Sequence, residues 1–60
     1  MNIILPTNKG IIIYKSDIVP SVGHDIEIVD NGIYNVYNVT HHVNARFELD
    51  HVTVGVMQVR

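Results

Sequence analysis

The stretch Asp25-Ile26-Glu27-Ile28-Val29-Asp30-Asn31-Gly32-Ile33-Tyr34-Asn35-Val36 decides how the chain folds. Ile26 and Ile28 alternate with Asp25 and Glu27, the pattern of a strand with one wet face. Asp30-Asn31-Gly32 then signals a reversal, and a second alternating run follows it. The turn has two possible registers. A two-residue Asn31-Gly32 turn would pair Ile28 with Asn35 and Ile26 with Tyr37, which puts Asn35 on the apolar face. A three-residue turn with Gly32 in the left-handed region pairs Ile28 with Tyr34 and Ile26 with Val36. The second register buries the better set and is the one expected.

Outward from this hairpin the chain reads as strand throughout. Ile and Val dominate, and good helix formers are few. Asn2 to Leu5 is a first strand, Pro6 to Gly10 a turn, and Ile11 to Lys15 a second strand. Ser16 to His24, with Pro20 and Gly23, reads as an irregular connection. Asp25 to Val29 is the third strand, Ile33 to Val43 the fourth and His51 to Val59 the fifth. Tyr34 and Val36 differ in parity from Val39 and Val43, so a bulge is expected near Tyr37-Asn38. Beyond it Val39, His41 and Val43 turn inward, while Thr40 and His42 turn out. The fold class expected is all-β, a small five-stranded barrel in one domain over residues 1–60.

The runs Val19-Pro20-Ser21-Val22-Gly23-His24-Asp25-Ile26, Gly32-Ile33-Tyr34-Asn35-Val36-Tyr37-Asn38-Val39-Thr40-His41 and His51-Val52-Thr53-Val54 carry a resemblance. They are similar to small proteins of phage and prophage genomes with the outline P-x-V-G-D-x-I, G-x-Y-x-V-x-x-V-x-H and a closing valine-rich strand. The resemblance covers about two thirds of the chain and implies an SH3-like barrel. It implies little about activity, since most such proteins are uncharacterised. His24 stands where that outline has Asp, with Asp25 one place later. The tryptophan and tyrosine-rich loop of peptide-binding SH3 domains are absent, so recognition of proline-rich peptides is not implied.

Composition narrows function further. Sixty residues, 47% of them hydrophobic and none cysteine, leave stability to one small core or to a partner subunit. The four Lys and Arg residues lie apart and the net charge is −2. The concentrated basic surface that nucleic-acid binding rests on is therefore missing. No stretch approaches a membrane span, and the start lacks a basic region before a long apolar run, so a cytoplasmic location is expected.

No nucleophile elbow, phosphate-cradling loop or carboxylate pair is recognisable, and a filled barrel of this size has little room for a pocket. Neither an enzyme nor a cofactor is expected. His41 and His42 are neighbours in one strand and point to opposite faces, whereas His42 faces His51 if Val39 pairs with Val54. With Asp50 nearby the two imidazoles could hold zinc weakly, but the usual ligand spacings are missing. Solvated His42 and His51, with His41 packed at the barrel edge, is the simpler reading, and no metal is expected.

The surface left is one that meets protein. Val43 to Asp50 reads as a long connection displaying Arg46, Phe47 and Leu49, residue types that suit a contact, or else a cap on the barrel's open end. Tyr37 near the bulge, His42 and His51 complete the candidate partner-binding set. The alternative is a homo-oligomer, because Ile4, Ile12, Met57 and Val59 have the parity of the outer face; a second alternative, by analogy with other small barrels, is weak nucleic-acid binding.

Overall fold

In the computed structural model, which describes residues 1–60, the chain forms five strands and no helix: β1 (Asn2–Thr7), β2 (Gly10–Lys15), β3 (Asp25–Ile28), β4 (Gly32–Val43) and β5 (Leu49–Gln58). They make one sheet in the order β2-β1-β5-β4-β3, antiparallel except where β1 runs parallel to β5. The sheet curls into a half-barrel. β2 and β3 are its free edges and do not pair with each other.

The concave face holds the core. Ile3 and Leu5 of β1, Tyr34 and Val36 of β4, and Val52 and Val54 of β5 are fully withdrawn from water. Ile12, Tyr14, Val19, Ile26, Ile28, Val39 and Val56 pack around them. Parity explains the set, because residues directly opposite each other share a face. Leu5 faces Ile12, Ile3 faces both Tyr14 and Val52, and Val39 faces Val54.

Two expectations about turns are corrected. The β3–β4 hairpin pairs Ile26 with Tyr34 and Ile28 with Gly32, two places from the expected register. The loop is Val29-Asp30-Asn31, and Asp30 itself adopts φ 64°, a conformation that Asp tolerates better than most residues. The Asn31 N–H donates to Ile28 O at 2.9 Å, and the Tyr34 hydroxyl donates to Asn31 Oδ1 at 2.7 Å. Because the shift is by two, Tyr34 and Val36 still face the core and Asn35 stays on the other side. Gly32 does have positive φ, 132°.

The second correction concerns Pro6, which lies within β1 opposite Ile11, so that only Asn8 and Lys9 form the turn. Ser16 N–H donates to Met1 O at 3.0 Å, and alternation along the ladder points the missing N–H of Pro6 away from β2. On that side pairing with β5 has already ended at Ile4. A central strand therefore accommodates a proline without losing a ladder bond. This register also turns Ile12 inward, contrary to the outward placement expected, and makes Ile11 and Ile13 the outer residues.

The expected bulge is present: the β4–β5 register shifts between Val36 and Asn38, leaving Tyr37 unpaired. Its ring lies over Gly55, where a side chain would meet it at 3.0 Å. Ser16 to His24 is irregular, as expected. Gly23 and His24 nevertheless continue the ladder, exchanging backbone hydrogen bonds with Val36 at 2.8 and 2.9 Å.

Candidate functional site

β4 and β5 outrun their neighbours. β1 covers β5 only from His51 to Thr53, so the chain from Val43 to Asp50 projects as a two-stranded arm, and the molecule measures 39 × 19 × 18 Å. The connection is shorter than the sequence suggested. Leu49 and Asp50 belong to β5, and Val43 pairs with Leu49 after a second register shift.

Asn44 builds the tip. Its Oδ1 accepts the N–H groups of Arg46 at 2.8 Å and Glu48 at 3.1 Å. Its backbone N–H donates to Glu48 O at 2.9 Å, and its carbonyl accepts the Phe47 N–H at 3.0 Å. An Asn side chain that bonds the backbone two residues ahead is a recognised way to order a turn. The bracket holds Phe47 at φ 62° with 91% of its surface exposed. The left-handed conformation costs a non-glycine residue about 1–2 kcal/mol, and here no burial offsets it. Phe47 does not cap the barrel, and Leu49, though only 39% exposed, is not among the residues packed against the core. Arg46 is also exposed beside it.

The histidines divide as parity demanded. His42 faces His51 across the arm with ring centroids 4.1 Å apart and an interplanar angle of 11°. His42 Nε2 is 2.8 Å from Thr53 Oγ1, and His51 Nδ1 is 2.8 Å from Asp50 Oδ2. Rings stacked in this way aim their in-plane lone pairs side by side, not at a common point. No three His, Asp or Glu side chains are arranged to share one ion. His41 shares the core face with Val52 yet is exposed, because the core ends before it; the expected packing at the barrel edge is not found.

The structure thus brings Arg46, Phe47 and Leu49 together at the arm's end and His42 with His51 at its root. Tyr37 stands apart on the outer face, 60% exposed. The prospect of little pocket volume is corrected by a cleft of about 400 Å³ between the two free edges, lined by Ile12, Tyr14, Ile26, Glu27, Ile28 and Val29. It exists because the sheet does not close. Sequence reasoning missed this cleft and the exposure of Ile11 and Ile13; reading Thr7 to Gly10 as a tight turn would have exposed the second. Comparison with protein-family models, with curated proteins and with solved structures gave no match. No helix is long and apolar enough to cross a membrane.

Proposed function

We propose that the chain is a non-enzymatic protein-binding module that engages a partner protein through the tip of the β4–β5 arm. The observation that carries this reading is Phe47, held by Asn44 in a costly backbone conformation with its ring in water. Strain that no packing rewards is found where a contact with something else rewards it. An exposed aromatic beside an arginine is the composition of an anchor in a protein interface.

The five-stranded curled sheet and the quoted sequence outline support an SH3-like small barrel of phage or prophage type, acting in the host cytoplasm on a host or phage protein. A photo-crosslinking phenylalanine analogue at position 47, which keeps the aromatic ring, tests the arm directly. The expected result is one discrete protein adduct that disappears with Asn44→Ala. The same adducts from a crosslinker at exposed Asn8, at the opposite end of the strands, would overturn the assignment.

A further inference from the structure

The outer face of the sheet can be laid out as rows across β2, β1 and β5. The row nearest the arm is polar: Lys15, Asn2, His51, continuing to His42 on β4. In the next row Ile13 faces Ile4, which adjoins Thr53. In the third Ile11 faces Pro6, and the Tyr37 ring covers Gly55 beyond it. Met57 closes the far end, lining one cleft with Pro6. Ile11, Ile13, Tyr37 and Met57 are exposed by 70, 60, 60 and 61%.

Beyond the first row no charged side chain from these strands interrupts the surface. β2 is therefore apolar on both faces, with Ile12 and Tyr14 inward and Ile11 and Ile13 outward. That is the composition of a strand covered on both sides, yet it stands at a sheet edge.

Few residues are fully withdrawn from water, although the total accessible surface is close to that of a compact monomer. Six of its 60 residues are buried, and its accessible surface is 4282 Å². A compact monomer of 6.8 kDa would expose about 4,000 Å². The chain has no cysteine to staple it, and small domains in this position commonly gain stability from a second subunit.

We propose that this face packs against the same face of a second copy, giving a two-fold, sheet-on-sheet homodimer centred on Ile11, Ile13 and Tyr37. Area and charge choose the occupant. The four exposed side chains present on the order of 500 Å², in the range of the largest apolar patch on a typical monomer, which is often a functional surface. Two such faces bury about 1,000 Å², the lower limit for a specific interface. An uncharged, mainly apolar face, bordered on β4 by Asn38 and Thr40, is its own complement under a two-fold axis, and it needs no opposite charge from a different partner. The arms lie beyond the polar row and remain free, so the dimer presents two Phe47 tips.

Sedimentation velocity from low micromolar to millimolar protein tests this. The wild-type chain is expected to pass reversibly from monomer to dimer over that range. Ile11→Lys combined with Ile13→Lys, at positions where a folded monomer already exposes the side chain, is expected to weaken the dimer at least ~100-fold with an unchanged circular dichroism spectrum. Tyr37→Lys should weaken it as well, although Tyr37 lies off the β2 edge. A wild-type chain that is monomeric throughout overturns the proposal. So does a dimer that survives Tyr37→Lys but not the isoleucine pair, which would mean edge-to-edge pairing of β2. A dimer lost with Phe47→Ala would place the contact at the arm and overturn it equally.

Discussion

Replacing Phe47 by Asn should make the protein more stable and less able to bind. At 91% exposure the phenyl ring contributes almost no burial, so its removal forfeits little. The backbone at φ 62° costs a bulky residue about 1–2 kcal/mol, and Asn enters that region more readily. The gain is about 1 kcal/mol, which for a domain of this length raises Tm by roughly 4–8 °C. Phe47→Ala supplies the control: it also removes the ring but keeps a Cβ in the same conformation, so its stability should stay within about 0.5 kcal/mol of wild type. Urea and thermal unfolding of the three proteins, with unchanged m values, give the comparison. Destabilisation by Phe47→Asn would instead mean that the ring packs on something and that the conformation is not strained. A stabilised variant that still forms the wild-type partner adduct from a crosslinker at Arg46 would refute the functional half alone.

The remaining predictions concern the body of the fold. Leu5→Ala, at a position fully withdrawn from water, should cost about 3 kcal/mol in chemical unfolding, whereas Ile11→Ala should cost little in the monomer. Gly32→Ala should be worse than any ordinary glycine replacement: φ is 132° and the new Cβ would sit 2.5 Å from the Arg60 carbonyl oxygen. A loss of more than about 2 kcal/mol is expected by the same assay. Burial raises the Tyr14 pKa above its usual 10.0. Its folded form therefore stays neutral where the unfolded chain ionises, so the stability it contributes is complete below about pH 10 and is lost as pH rises through the folded value. Unfolding free energies across that alkaline range should fall less steeply for Tyr14→Phe than for wild type.

Much of the architecture was legible because strand parity is a strong signal. Tyr34 and Val36 on one face, Val39 and Val54 opposite each other, the bulge at Tyr37 and the meeting of His42 with His51 all follow from a period of two and one register shift. Turns were less legible, since local chemistry permits several. Asp30 takes the left-handed position in a loop where Tyr34, Gln58 and Lys9 converge on Asn31, and the last two of these come from far away in the chain. Pro6 was misread for a similar reason, as the place where β1 leaves β5 is a property of the sheet. The same limit applied to the candidate site. Arg46, Phe47 and Leu49 could be named from the sequence, but whether Phe47 capped the barrel depended on how far β4 and β5 outrun β1.

The most direct test of the arm as the binding surface is photo-crosslinking from position 47 in cells that carry the native partner, set beside the same crosslinker at Asn8. A single protein adduct is expected from position 47, abolished by Asn44→Ala while the fold persists, and none from Asn8. Adducts that are identical from both positions, or that survive loss of the Asn44 bracket, would contradict it.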